Sequence, residues 1–205
     1  MGNGGACDRQ KTQELEALGL DLAAAQWEQL VHHMALVAEW NDVLSLVSER
    51  DVGQLWKRHV LDSLALAPWV KGAADVQGLL LDIGSGGGFP AIPLKVAFPE
   101  LGMVMIERST RKAGFLRKVL SAVELRGVEI VAESFPETVG RWKPDVMTAR
   151  AVEKADRVMG AMLRLVSQGS VWLCQNNVPD SSLAGFHVEH VEGGPRGELR
   201  VVRCP

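Results

Sequence analysis

The residues best placed to do chemistry lie in one run, Asp82-Ile83-Gly84-Ser85-Gly86-Gly87-Gly88-Phe89-Pro90. With Leu79-Leu80-Leu81 before it, Ile83 completes a short, fully buried strand of the kind found inside a parallel sheet. The glycines let the chain turn sharply, and their bare backbone lets a ligand come close. Pro90 suits the first turn of a helix, where its missing N–H costs nothing. Strand, glycine loop and helix start describe a nucleotide-type site at the carboxyl end of a first strand. A glycine-rich turn in an ordinary α/β protein is the alternative. The spacing narrows the ligand: Gly84 and Gly86 begin a Gly-x-Gly-x-x-Gly fingerprint, but Phe89 stands in its third place. A phosphate-cradling P-loop needs Gly-Lys-Ser/Thr, and no lysine is there. Glu107 lies 23 positions after Gly84 and ends the second expected strand, where an acid accepts hydrogen bonds from both ribose hydroxyls of a nucleoside cofactor. A surface carboxylate at a strand end is the alternative.

The elements around this run can be read from periodicity. Strand–helix alternation from Leu79 onward argues for a parallel sheet with helices on both faces. The expected strands after the first are Gly102–Glu107, Val128–Ala132, Asp145–Ala149 and Ser170–Gln175. Helices are expected over about Ser109–Arg126 and Glu153–Ser167. Phe186–Glu192 and Glu198–Arg203, around Gly193-Gly194-Pro195, read as a closing hairpin. Before the sheet, residues 1–75 form a helical extension, and 76–205 the sheet domain. Within the extension Asp21 is the expected N-cap of a helix carrying Trp27, Leu30, Val31, Met34 and Val37. Gln54 to Trp69 reads as a further helix ending beside Pro68 and Gly72. Trp27, Trp40, Trp56 and Trp69 read as core rather than a base-stacking platform. His32 and His33 point to different faces of a helix and make a poor metal pair.

Composition sets outer limits. The chain has 205 residues, 47% hydrophobic and 23% charged, with net charge −3, which suits a soluble globular protein and gives no global nucleic-acid signature. The charge is uneven, however. Residues 1–62 hold 5 Lys/Arg against 10 Asp/Glu, and residues 108–164 hold 12 against 7. A basic stretch of this kind can steer an anionic partner, although a merely solvated basic surface fits as well. No apolar run approaches a membrane span, the N-terminus lacks a signal-type apolar region, and Cys7, Cys174 and Cys204 show no metal-type spacing. The expectation is a cytoplasmic, reduced protein.

Asp82-x-Gly84-x-Gly86-x-Gly88 resembles the first motif of the class I S-adenosylmethionine-dependent methyltransferases. That resemblance implies a Rossmann-like, seven-stranded sheet with an antiparallel last strand, here beneath an N-terminal helical cap. Asp82 would orient the loop or hold the cofactor amino group, with a purely structural loop cap as its rival. Enzymes that methylate exocyclic amino groups of bases typically carry Asn/Asp-Pro-Pro-aromatic after the fourth strand, and Asp145–Ala151 does not. Cytosine-C5 enzymes need a nucleophilic cysteine, whereas Cys174 lies in the apolar Val171-Trp172-Leu173-Cys174, where a buried thiol is inert. No catalytic base stands out. An acceptor atom with a free lone pair needs none, and alignment then supplies most of the acceleration.

Several further motifs narrow the resemblance. Trp40-Asn41, Arg50-Asp51, Arg58-His59-x-x-Asp62-Ser63, the glycine loop, Arg111-Lys112-x-x-Phe115-Leu116-Arg117 and Arg150-Ala151 are similar to the glucose-inhibited division protein B family in order and spacing. The resemblance implies transfer of a methyl group from S-adenosyl-L-methionine to N7 of a guanine in bacterial 16S ribosomal RNA, in a loop near the decoding centre. It implies that Gly84, Gly86, Gly88 and Phe89 lie against the cofactor, with Glu107 on its ribose and Phe135 and Pro136 flanking the adenine. Arg150 would stand beside cofactor and base as a positioning group, with a salt bridge to Glu107 or Asp82 as the alternative. Arg111, Arg117 and Lys118 are the candidate RNA contacts. His59 and Asp62 are expected in the helical cap, packing or capping helices. The partner is naked 16S rRNA or the small ribosomal subunit, and a monomer is expected.

The chain departs from the family pattern at three places. Ser134-Phe135-Pro136 stands where Arg-Ala-Glu is usual, leaving Glu133 or Glu137 to replace the adenine-side carboxylate. Ala91 replaces a glycine, and Gln175-Asn176-Asn177 replaces a Lys-Gly pair. Two rivals follow: a methyltransferase retuned to another substrate, and a non-catalytic RNA-binding relative.

Overall fold

The computed structural model describes residues 9–150, 155–175, 180–194 and 197–205. Strand β1 (Leu79–Ile83) is central, flanked by parallel β2 (Gly102–Ile106) and β4 (Val146–Ala149). β3 (Val128–Val131) lies outside β2, and β5 (Val171–Cys174) lies outside β4. The hairpin β6 (His187–Gly194) and β7 (Gly197–Arg203) completes the sheet, β7 running antiparallel to both β5 and β6. The order is β3-β2-β1-β4-β5-β7-β6. The order changes direction at β1, between β2 and β4, the place where open α/β sheets bind ligands beyond their carboxyl ends.

Alternation along the strands makes two cores. Leu80, Met103 and Met105 point to one face, where they meet Leu30, Val70, Ile92, Leu94, Phe115 and Leu116. Leu81, Ile83, Val104 and Ile106 point to the other, against Ala161, Met162, Leu165 and Val166. The central strands are therefore apolar on both faces, as their unbroken hydrophobic runs require. The helices of the first face are α2 (Ala24–Leu44), α5 (Ala67–Asp75), α6 (Ala91–Ala97) and α7 (Thr110–Ala122), while α8 (Ala155–Val166) covers the second. All four N-terminal tryptophans belong to or pack against the first core, with Trp27 and Trp56 edge to face at 5.1 Å.

The helical extension differs from the periodicity reading in three ways. α2 begins at Ala24, with Ala23 rather than Asp21 as its N-cap, because Gln26 Oε1 accepts the Ala23 N–H at 2.9 Å. The expected 54–69 helix is broken. A π-helical turn spans Trp56–Leu61, α4 (Asp62–Leu64) follows, and Pro68 opens α5 instead of ending a helix. Proline at the first helical turn lacks only a donor that has no acceptor there anyway. A short α3 (Glu49–Val52) precedes them, and α1 (Arg9–Ala17) begins the described chain. The first residues of the expected 153–167 helix lie outside the described residues.

Candidate functional site

β1 ends at Ile83, and the loop after it is held from three directions. Gly86 and Gly88 take φ of +51° and +89°, backbone that side-chain-bearing residues rarely adopt. A Cβ on Gly88 would also lie 2.4 Å from Ile92 Cδ1, so the loop closes tightly onto α6. From β2, Glu107 Oε2 accepts the Gly86 N–H at 2.9 Å and Oε1 accepts the Ser109 N–H at 2.8 Å. One carboxylate thus ties the glycine loop to the start of α7, and each of its oxygens keeps a second lone pair for a ligand. From α2, His33 Nε2 donates to the Gly87 carbonyl at 2.8 Å. Burial pushes the His33 imidazole down to about 4, opposed by that bond. It stays neutral at physiological pH.

A cavity of about 760 Å³ opens over this loop, a volume suited to a small organic ligand. Its walls bring together Gly84, Gly86, Phe89 and Glu107 with Phe135, Arg150 and Gln175. Asp82, Gly88 and Pro136 fall outside the wall, Asp82 within β1 and Gly88 in the loop itself. Asp82 is buried, its Oδ1 accepting the Thr148 hydroxyl at 2.7 Å while Oδ2 has no hydrogen-bond partner. Burial raises its carboxyl to about 6, opposed by bonds from Ser85 and Thr148 and by the charge of Arg150. Phe89 packs against two imidazoles, His33 at 4.7 Å and His59 at 4.8 Å between ring centroids.

Arg150 follows β4 and reaches under the helical extension. It pairs with Asp62 Oδ2 at 3.0 Å and donates to His59 Nδ1 at 3.0 Å. His59 Nε2 in turn meets Asp51 Oδ2 at 3.1 Å, and Arg58 Nε lies 3.3 Å from Asp51 Oδ1. Asp51, His59, Asp62 and Arg150 all border the cavity. The expected packing role for His59 and Asp62 is therefore joined by a polar network around Arg150. Ser45, Leu46 and Val47 also line the cavity, the last two held by their N–H groups on Asn41 Oδ1 at 2.9 Å each. No sequence signal marked them, since their position depends on the turn that ends α2.

The remaining candidates are dispersed. Arg111 donates to the Val43 carbonyl at 3.3 Å, Arg117 to the Ile130 carbonyl at 3.4 Å, and Lys118 Nζ lies 5.4 Å above the Trp40 ring. All three are exposed on α7, away from the cavity wall. Besides Arg150, Arg108 and Lys112 reach the wall, the latter on the Ser45 carbonyl at 3.0 Å. Glu133 lines the cavity, but Arg141 holds its carboxylate through two bonds of 2.8 and 2.7 Å and keeps it below the usual carboxylate range. Glu137 is exposed and outside. Gln175 Oε1 is buried without a hydrogen-bond partner, while Asn176 and Asn177 lie outside the described residues. Among the described residues no group of three metal-ligating side chains occurs, and no helix is long and apolar enough to cross a membrane.

These features suit a nucleoside cofactor with a charged amino-acid tail. Glu107 offers acceptors, Phe135 and Ile106 an apolar wall, and the unpartnered Asp82 oxygen a buried negative site in β1. A seven-stranded sheet in this order, with an antiparallel β7 and a glycine loop after β1, defines a class I S-adenosylmethionine-dependent methyltransferase. The fold is shared with a Geobacter sulfurreducens methyltransferase (TM-score 0.59, 18% identity, all of both chains). It is shared also with a point mutant of MtNAS in complex with S-adenosylmethionine (TM-score 0.56, 18% identity, 97% of this chain and 80% of that one). Residues 26–177 match the GidB family model, rRNA small subunit methyltransferase G, and the chain belongs to that family. Ribosomal RNA small subunit methyltransferase G of Chloroflexus aggregans is 35% identical over 98% of this chain and 86% of its own. The protein of that name from Laribacter hongkongensis is 34% identical over 83% and 80%.

Proposed function

We propose that this chain transfers the methyl group of S-adenosyl-L-methionine to N7 of a guanine in 16S ribosomal RNA. The observation that carries this reading is the engagement of every acid and imidazole on the cavity wall. Glu107 holds two backbone N–H groups, His59 is held between Asp51 and Arg150, Asp62 holds Arg150, and Glu133 holds Arg141. None of these wall groups is left free to remove a proton, and N7 has none to lose. The cofactor supplies a methyl group bonded to a sulfonium sulfur. The N7 lone pair forms the new N–C bond as the C–S bond breaks, its electrons staying on sulfur. Positive charge passes from sulfur to the base, so net charge in the cavity is unchanged and alignment is the main requirement.

In this reading Gly84, Gly86, Gly88 and Phe89 shape the floor, Glu107 takes the ribose, and Phe135 with Pro136 borders the adenine. Asp82 faces the cofactor amino group, and Arg150 positions cofactor and base. Arg111, Arg117 and Lys118, joined by Lys112 and Arg108 at the rim, supply phosphate contacts. We read residues 1–75 as the helical cap and 76–205 as the methyltransferase domain, acting in the cytoplasm as a monomer on naked rRNA or on the small subunit. Gln175 favours one rival, the non-catalytic relative, by leaving the end of β5 uncharged. Both are tested by incubating the protein with labelled S-adenosylmethionine and small subunits from a strain lacking the modification. Label mapped as 7-methylguanine at one guanine is the expected result. No label, with cofactor binding intact, overturns it.

A further inference from the structure

His59, in the π-helical turn Trp56–Leu61, and Asp62, directly after it, stand on the same cavity wall, and such turns recur at functional sites. His59 is 4% exposed, with one ring nitrogen on Arg150 and the other on Asp51. A guanidinium can only donate, so the Nδ1 that faces Arg150 must carry a lone pair. The ring proton is then on Nε2 and is donated to Asp51 Oδ2. The partners thereby select one neutral tautomer. A doubly protonated ring would set N–H against N–H and cation against cation on the Arg150 side.

Resting on the methyltransferase reading above, we propose that His59, as the neutral Nε2–H tautomer backed by Asp51, is the positioning residue that sets the guanidinium of Arg150, and that protonating His59 releases Arg150 and disables the site. Asp62 shares the task from the other side, holding Nη1 while His59 holds Nη2. Two anchors on two nitrogens fix the plane of the guanidinium as well as its location. The charged groups around His59 pull both ways. Asp51 from α3 and Asp62 from α4 favour the imidazolium. Arg150 from the end of β4 and Arg58 from the π-turn oppose it. His33 of α2 packs against the same Phe89 ring, and Glu107 and Asp82 lie further off at the ends of β2 and β1. Because Asp51 already takes the Nε2 proton, a second proton must go to Nδ1, the atom that Arg150 occupies. Titration and loss of the Arg150 contact are one event.

The test separates the two ends of the ring. In H59N the side-chain oxygen reaches the place of Nδ1 and still accepts from Arg150, but it cannot titrate. In H59Q the amide reaches the place of Nε2, serving Asp51 and abandoning Arg150. Affinity for S-adenosylhomocysteine and single-turnover methyl transfer are measured from pH 5 to 9 for all three proteins. Imidazole ¹⁵N shifts of the free wild-type protein report the tautomer directly. The expected wild-type signals are an unprotonated Nδ1 and a protonated Nε2 at neutral pH. Wild-type transfer is expected to fall about tenfold per pH unit below the His59 titration. H59N should lose the His59 share of that acid limb, keeping only what the Asp82 carboxyl contributes, and stay within about tenfold of wild type, while H59Q drops roughly 10–100-fold at every pH. An Nδ1–H or doubly protonated ring at neutral pH, or an acid limb unchanged in H59N, overturns the proposal. If wild-type protein methylates no subunit RNA, the functional reading fails instead, and the ¹⁵N shifts and the pH dependence of cofactor affinity still decide the role of His59.

Discussion

Replacing Asp82 by asparagine tests whether the protein keeps a carboxylate that weakens its fold. The side chain is 1% exposed, and its Oδ2 has no hydrogen-bond partner. Its carboxyl is raised by burial from an ordinary 3.8 to about 6. That gap of about 2 pH units, at roughly 1.36 kcal/mol each, amounts to about 3 kcal/mol. Below pH 3.8 the folded and unfolded chains both carry the protonated acid, and nothing is lost. Between 3.8 and about 6 the folded chain holds more protons than the unfolded one, so stability falls as pH rises. Above about 6 the whole penalty stands.

The assay is urea unfolding of wild type and D82N from pH 4 to 8. The stability of D82N minus that of wild type should grow by about 3 kcal/mol across that rise and then level off. The buried amide adds a constant offset, which moves the whole difference without changing its slope. Other titrating groups cancel in the comparison. The same substitution should weaken cofactor affinity at pH 7 about tenfold, the loss of one charge-assisted contact. A difference that stays flat from pH 4 to 8 refutes the reasoning.

Two other substitutions probe the loop. E107Q keeps the size of the side chain but turns one acceptor into a donor, so the Gly86 or Ser109 N–H loses its partner. Unfolding should cost about 1.5–3 kcal/mol less, and the cofactor dissociation constant, read by calorimetry, should rise roughly 10–100-fold. Gly88→Ala puts a Cβ 2.4 Å from Ile92 Cδ1 at a φ of +89°. A loss of about 2–4 kcal/mol in chemical denaturation is expected, together with weakened cofactor binding.

The sheet and the loop are legible in the sequence because their signals are local. Leu79–Ile83 announces a buried strand by composition, and the glycines and Pro90 announce the turn and helix beyond it. Glu107 is legible through its spacing from Gly84. What the sequence hides depends on contacts between distant segments. His33 reaches Gly87 across 54 positions, and Arg150 finds Asp62 across 88. The π-turn at Trp56–Leu61 has no propensity signature, since its register is set by tertiary packing of Trp56 and Val60 into the first core. Without it, Arg58-His59-x-x-Asp62 reads as one face of a plain helix. Asp21 misleads for a similar reason, because Gln26 supplies the cap from inside the helix.

The helical extension and the sheet are joined by an exchange of helix ends that explains why the loop cannot be treated apart from its cap. Helices leave their last carbonyls without intrahelical donors. Gln26 of α2 donates to the Val96 carbonyl in the last turn of α6 at 2.6 Å, and Gln29 to the Val123 carbonyl at the end of α7 at 2.7 Å. In return α7 sends Arg111 to the Val43 carbonyl and Lys112 to the Ser45 carbonyl, at the end of α2, where cations also complement the helix dipole. α2 thus completes the ends of α6 and α7, and α7 completes the end of α2. The turn so fixed at Ser45 carries Leu46, whose backbone oxygen and Cβ lie within 3.4 Å of the place a Gly87 Cβ would take. The glycine loop is therefore pressed between Glu107 beneath and the end of α2 above. A substitution that frays α2 reaches the loop through Leu46 and His33 before it disturbs any strand.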